Sequence, residues 1–549
     1  MRAIIPYKQS LVLYFLLLGA TLVGGFLRLY QITSQIIADD EWHAVHVAFC
    51  NSYGQILIHF GQSDYCIPLA FLDKLAIQTV GLSEMLMRTP MLLLGIASIP
   101  IFPLLAMRWT GPRTAGLFAW LIALSPLHIY FSRYARPYDI SLFFTCVAWA
   151  AFPRWWCDRR DAWRVLYVAC SVAATFFHPF FLLAALAPMV FAFIQAMRRG
   201  ARESRWPSIA RLVGMAAWIG LPLAIVLAPA LWIDGQSLFA KVGQDRMDWH
   251  SIIGAIQLLL GTSHNGIVGL EIAGIGVGAW ALARNRRDVA IYVAVIMCIE
   301  FTVLAILHPK GIQFPIVVAR YGVSLLPLFL LLLAVGLGAA EDGLRRLWAA
   351  CPRGAIGATT CAALFFTGPV PAIYSHPNAW TNHALYQYAY GFNPNVRYDF
   401  LRPLSFSRFY DTLRDSPPGS LLILEAPWRF EWHFNPYPFY QAYHRQRMVV
   451  GFLASPQSAA ESGELRPSEP GNDFRNSLHV ADRQRLAARG VDYVIFHKRY
   501  TDELVIKPSP PVNDTGPWIE LYRQRYGVPV FEDEYIAAFQ IRSSALNRD

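Results

Sequence analysis

Residues 37–47 read "IADDEWHAVHV": three consecutive carboxylates, Asp39, Asp40 and Glu41, then His43 and His46. A carboxylate beside an acceptor hydroxyl can take its proton and act as general base. The same residues have plainer uses. Aspartate at a helix start caps free N–H groups, and acids in the first turn suit the helix dipole. Capping does not need three acids. Asp39, His43 and His46 are spaced i, i+4, i+7, which would let a divalent metal bind one helix face. Histidines on an amphipathic surface helix are the favoured account, and no cofactor is required.

A second set of residues is cationic. The stretch "SRYARPYD" holds Arg133 and Arg136, and "HPKGIQFPIVVARYG" holds Lys310 and Arg320. Both sit between apolar runs, on the side that should be poor in basic residues. Desolvating such groups at a membrane edge costs about a few kcal/mol each, so they need partners. Snorkelling would satisfy single cations. A cluster of guanidinium and ammonium groups suits a phosphate or pyrophosphate. If their segment is helical, Arg133 and Arg136 lie three apart on one face. The two sets suit one reaction. The cations take the phosphate leaving group of a lipid-linked sugar, and the carboxylate deprotonates the attacking hydroxyl. Direct displacement inverts the anomeric centre.

These residues are spaced by membrane-length elements. The chain has 549 residues, 55% hydrophobic and only 15% charged. Soluble domains are nearer a quarter charged, so the chain reads as an α-helical polytopic membrane protein. Its net charge of +10 does not indicate nucleic acid, because the basic residues cluster between apolar segments. Eleven spans are expected, at 11–32, 88–108, 113–131, 138–154, 163–178, 180–198, 209–232, 265–283, 288–308, 319–340 and 354–374. "FFHPFF" must then be a turn. With Arg2 and Lys8 ahead of a retained first helix, the N-terminus lies inside. Every inner loop is then Arg-rich, for example "PRWWCDRRDAWR" and "RNRRD". An odd count leaves 375–549 outside, with loops 33–87 and 233–264.

Loop 33–87 spaces its apolar residues helically, as interfacial helices do, and 251–261 is a third such segment. Cys50 and Cys66 share the first loop, where a disulfide and two free thiols are equally compatible with the sequence. From 375 the pattern changes. Strands are expected at 420–427, 447–453, 491–498 and 526–543, with helices ending at Gly490 and Gly527. This divides the chain into a membrane domain, 1–374, and a soluble α/β domain, 375–549.

The order of motifs resembles a known family. An acidic pair opens an interfacial helix after the first span. "GPRTAGLFAWLIALSPLHIYFSRYARPYDISLFF" follows, and "ARYGVSLLPLFLLLLA" comes late. Over roughly 10–340 this is similar to the C-type (GT-C) polyprenyl-phosphate-dependent glycosyltransferases, in the branch with protein O-mannosyltransferases and the lipid A aminoarabinose transferase. The resemblance implies Asp40 as catalytic carboxylate, with Glu41 and Asp39 as its neighbours. It implies Arg133, Arg136, Lys310 and Arg320 on the donor phosphate. His43, Asp64, Arg88, Tyr138, His178 and Tyr321 are further candidates for the substrate pocket. It also implies a bacterial inner membrane location, an undecaprenyl-type donor, and a glycan, lipid or protein acceptor on the periplasmic face. Where related lipid A enzymes carry a "KPP"-like stretch, this chain has "DYCIPL", with Asp64 and Pro68 but no lysine. The competing classes are a lipid-linked sugar transporter and a non-catalytic receptor. A transporter should show repeat symmetry and mid-membrane ionisable groups. No repeat is visible, and Glu300 is the main acid expected inside a span.

Overall fold

A computed structural model describes residues 7–35, 37, 40–63, 65–198, 205–243, 245–375, 407–426, 437–449, 483–488, 490–498 and 515–542. Helix α1 (Tyr7–Leu29) leads into a first loop with three helices, α2 (Glu41–Cys50), α3 (Tyr53–Ile58) and α4 (Ile67–Thr79). Then come α5 (Glu84–Thr110), α6 (Pro112–Leu124), α7 (Pro126–Ser132), α8 (Tyr138–Asp158), α9 (Asp161–Phe177) and α10 (Phe181–Arg198). The rest of the helical part is α11 (Arg205–Phe239), α12 (Trp249–Leu260), α13 (Asn265–Asn285), α14 (Arg287–Leu307), α15 (Pro315–Tyr321), α16 (Leu325–Leu347), α17 (Ala355–Thr367) and α18 (Val370–Ser375).

Each of the eleven expected spans contains a helix. Among the described residues, seven helices, α1, α5, α10, α11, α13, α14 and α16, are long and apolar enough to cross a membrane. The pair α6 and α7 makes an eighth if its two parts, bent by 61°, act as one span. The bend follows from Pro126, which lacks an N–H and pushes Ser125 into extended backbone. Helix α17, with 13 residues, is short for a span. Helices α9 and α10 meet at the expected turn around His178. The 133–137 link is not helical, which corrects the expected i, i+3 pairing of Arg133 and Arg136.

Helix α13 lies against α16 with backbones touching. A Cβ on Gly278 would run into the Leu332 carbonyl, and one on Gly336 into the Gly274 carbonyl. Small residues at such a crossing let helices gain dispersion contacts where lipid gives no hydrophobic drive.

The bend between α6 and α7 frees the carbonyls of Ile122 and Ala123. Arg28 of α1, fully buried, donates to both, at 3.2 and 3.1 Å, and to Gly24 O at 2.8 Å. Its Nη2 also lies 2.6 Å from His128 Nδ1. Arginine only donates, so Nδ1 accepts and the histidine proton is on Nε2, 3.1 Å from Asp139 Oδ1. A buried Arg–His–Asp chain thus ties α1, α7 and α8 together.

The C-terminal part holds α19 (Phe409–Asp415), β1 (Leu422–Ala426), α20 (Tyr437–His444), β2 (Arg447–Met448), α21 (Arg483–Ala488), β3 (Tyr493–His497), α22 (Gly516–Tyr526), β4 (Phe531–Glu532) and β5 (Ile536–Gln540). The sheet order is β2-β1-β3-β5-β4. Strands β2, β1 and β3 are parallel, and β5 pairs antiparallel with β3 and β4. Strands β1, β3 and β5 are almost wholly buried, as covered sheet strands require. Residues 450–453 of the expected second strand lie outside the described residues.

Candidate active site

Asp40 stands at the start of α2 without capping it, since its carboxylate accepts no bond from the helix N–H groups. Oδ2 instead receives Arg320 Nη1 at 2.7 Å, from the end of α15. Both side chains reach solvent, Asp40 at 25% and Arg320 at 20% exposure. The Arg320 guanidinium lies over two rings, 5.5 Å from Tyr138 and 5.3 Å from Tyr321. Tyr321 packs on Phe180 at 4.8 Å and on His178 at 6.1 Å, and His178 meets Tyr138 at 5.3 Å. The His178 Nδ1 accepts from Phe180 N. Burial, then Arg136 and Arg320, lower the His178 pKa to about 3, so its ring is neutral.

Further cations gather here. Lys241, in the loop after α11, has its pKa lowered by burial and then by Lys310; Asp40 opposes this, while Arg136 and Arg320 add to it. Its ammonium lies 4.6 Å from the centre of the Tyr65 ring. The structure therefore brings together Asp40, Arg136, Lys310, Arg320, Tyr138, His178 and Tyr321. It adds Lys241 and Tyr65. A signal for Lys241 exists in the sequence, because it is another cation on an expected outer loop.

Glu41, the next residue, points elsewhere. Successive side chains on a helix diverge by about 100°, and Glu41 is 1% exposed. It takes a two-pronged bond from Arg88, Nε to Oε1 at 2.9 Å and Nη2 to Oε2 at 2.8 Å. Ala135 N also donates to Oε1 at 2.8 Å, and Arg88 Nη1 donates to Gln35 O at 2.6 Å. Glu41 and Arg88 thus pin α2 to α5 and to the 133–137 link. Arg133, 3% exposed, turns back towards α1. It donates to Leu27 O at 3.0 Å and Tyr30 O at 2.7 Å, carbonyls left over at that helix end, and to Gln35 Oε1 at 3.0 Å.

His43 is exposed on α2, and His46 Nδ1 lies 3.8 Å from Cys50 Sγ. Asp39 and Asp64 lie outside the described residues. Among those described, no group of three or more His, Cys, Asp or Glu could hold a metal ion. No disulfide joins Cys50 and Cys66. Glu300 receives a hydrogen bond from Ser324 at 2.6 Å, away from this cluster.

The arrangement offers a reachable carboxylate among four cations from three separate links. It can hold an anion and place a base beside it.

No family model matches the chain, and no curated protein matches it. Among solved structures it is similar to ArnT from Cupriavidus metallidurans bound to undecaprenyl phosphate. That likeness has a TM-score of 0.49 and 13% identity, and covers 97% of this chain and 98% of that one. It is also similar to the Archaeoglobus fulgidus oligosaccharyltransferase complex with zinc and sulfate. There the TM-score is 0.44 and the identity 14%, over 92% of this chain and 69% of that one. Neither likeness assigns a residue role or an activity here.

Proposed function

We propose that this chain is an integral membrane glycosyltransferase. It moves a sugar from a polyprenyl phosphate donor of the undecaprenyl type to an acceptor hydroxyl at the outer face, with inversion. The observation that carries this reading is the Asp40–Arg320 pair set among Arg136, Lys241 and Lys310. Asp40 takes the proton of the acceptor hydroxyl. The acceptor oxygen bonds to the anomeric carbon as the bond to the phosphate oxygen breaks. The electron pair leaves with the phosphate, whose negative charge rises by one. Fixed cations stabilise that developing charge more in the transition state than in the ground state. The tyrosine rings supply apolar walls for a sugar face.

Arg320 gives the site an order of events. Arg320 occupies Asp40 Oδ2 in the pair. A donor phosphate competes for the guanidinium and releases the carboxylate for proton transfer. The test uses purified protein in lipid nanodiscs with a set of polyprenyl-phosphate sugars, reading released polyprenyl phosphate and the anomeric configuration of the product. An inverted glycoside supports the reading. Binding of the donors with no turnover for any acceptor hydroxyl points instead to a receptor.

A further inference from the structure

We propose that the corner where α8, α9 and α11 meet, at the membrane face opposite Asp40, is a binding site for a bilayer lipid with an anionic phosphate headgroup. Helix α8 starts at Tyr138, beside Arg320, and runs 21 residues to Asp158. At 1.5 Å per residue it covers about 30 Å, the thickness of a bilayer's hydrocarbon core. Its far end therefore lies at the other face. There, arginines stack on indoles. Arg159 lies 5.0 Å and Arg211 5.6 Å from the centre of the Trp156 ring. Arg154 lies 4.8 Å from Trp163, and Arg164 lies 6.0 Å from Trp218. These cations come from α8, from the link after it, from α9 and from α11.

Local structure fixes these stacks. Arg159 takes a left-handed backbone, φ 57°, uncommon for any residue but glycine, and its N–H closes α8 on Trp155 O at 3.0 Å. That turn brings its guanidinium back to Trp156. Arg211 is steadied by its Nε, which donates to Pro207 O at 3.0 Å. Snorkelling and the bias for cations at one membrane face account for scattered exposed arginines. Neither requires two guanidiniums on one buried indole, where like charges repel and the ring attracts each without neutralising it. Asp158 and Asp161 are the carboxylates of these segments, and Asp161 pairs with Arg164 at 3.3 Å. Five arginines, Arg154, Arg159, Arg160, Arg164 and Arg211, thus share the corner with two acids. The same helices continue away from it as bare apolar surface: Val165 of α9 and Val213, Trp218, Leu221 and Ile225 of α11 are all exposed. A soluble anion makes no use of that surface. A lipid sets its headgroup among the arginines and its chains along the two helices.

The experiment titrates phosphatidylglycerol, phosphatidylcholine and glycerol phosphate into the full-length protein in a non-ionic detergent and reads bound ligand by native mass spectrometry. Phosphatidylglycerol is expected to bind at least about tenfold more tightly than phosphatidylcholine, whose headgroup has no net charge. Arg159→Gln combined with Arg211→Gln should weaken phosphatidylglycerol by about thirtyfold, the effect of two cations at a membrane surface, and leave phosphatidylcholine unchanged. Arg159→Lys combined with Arg211→Lys keeps both charges and should retain most of the affinity, which separates lost charge from lost folding. Arg284→Gln, which removes a single stack on Trp280 of α13, should change nothing. Equal affinity of the parent for the two lipids overturns the proposal, as does an unchanged preference for phosphatidylglycerol in the doubled glutamine variant. Glycerol phosphate binding as tightly as phosphatidylglycerol would show a site for soluble phosphate and overturn the lipid assignment.

Discussion

Asp40 Oδ2 and Arg320 Nη1 meet at 2.7 Å across 280 residues of chain. One belongs to the first loop and the other to the last turn of α15, so this contact joins two segments far apart in the helical part at the candidate site. The adjacent acid, Glu41, makes a different ion pair 1% exposed to solvent. Two neighbouring carboxylates therefore divide into one that is reachable and one that is structural.

That division has a measurable consequence. Removing one partner of a buried pair costs about 3–5 kcal/mol, while a partly exposed pair is worth about 0–1 kcal/mol. Glu41→Gln should lower the melting temperature in detergent sharply, and Asp40→Asn should barely move it. Comparable losses in both variants would contradict the division.

Arg320 should not tolerate lysine. Its planar guanidinium lies over Tyr138 and Tyr321 while donating to Asp40, and an ammonium cannot reproduce that geometry. Steady-state kinetics of Arg320→Lys should show a raised donor KM and a kcat reduced at least tenfold, about 1.4 kcal/mol of barrier. Full activity with lysine would show that charge alone suffices.

Gly95 of α5 marks a close approach. A Cβ there would lie 2.5 Å from Asp139 Oδ2 and run into the Ser132 hydroxyl. Both belong to the buried chain around Arg28 and His128. Gly95→Ala should destabilise the protein by about 1–3 kcal/mol through overpacking. Thermal unfolding followed by tryptophan fluorescence checks this, and an unchanged midpoint would argue against tight packing at this crossing.

Asp73 of α4 is 7% exposed, and burial raises its pKa to about 8. The folded state therefore holds its proton more tightly than the unfolded chain, whose aspartates titrate near pH 4. Stability from this group is fully present below about pH 4 and is lost as pH rises towards 8. Asp73→Asn removes that loss. The variant should melt higher than the parent at pH 8.5, with the difference shrinking by pH 5. A difference independent of pH would contradict the assignment.

Much of this architecture was legible in the sequence. Apolar runs locate a helix within each of the eleven expected spans, and short apolar runs locate the C-terminal strands, because burial enforces both patterns. "ADDE" falls at the candidate site, and the cations expected on outer links include Arg136, Lys310 and Arg320. Arg133 looks identical in sequence but turns back to the α1 carbonyls, since α7 stops at Ser132 and the link is not helical. No spacing rule reveals such a reversal. Lys241 escaped for the opposite reason. It becomes part of the cluster only because its loop pairs with the link after α14, a contact between segments 69 residues apart at Lys241 and Lys310. Tyr65 depends on a positive φ that its residue type argues against.

In the proposed reaction Asp40 is the base of a glycosyl transfer. Its most direct test compares Asp40→Asn with the parent protein in two assays, undecaprenyl phosphate binding and sugar transfer from a polyprenyl-phosphate donor. The account predicts a transfer rate reduced by about 10²–10⁴-fold, with binding retained or strengthened as Arg320 is freed for the phosphate. Transfer at the parent rate would contradict it.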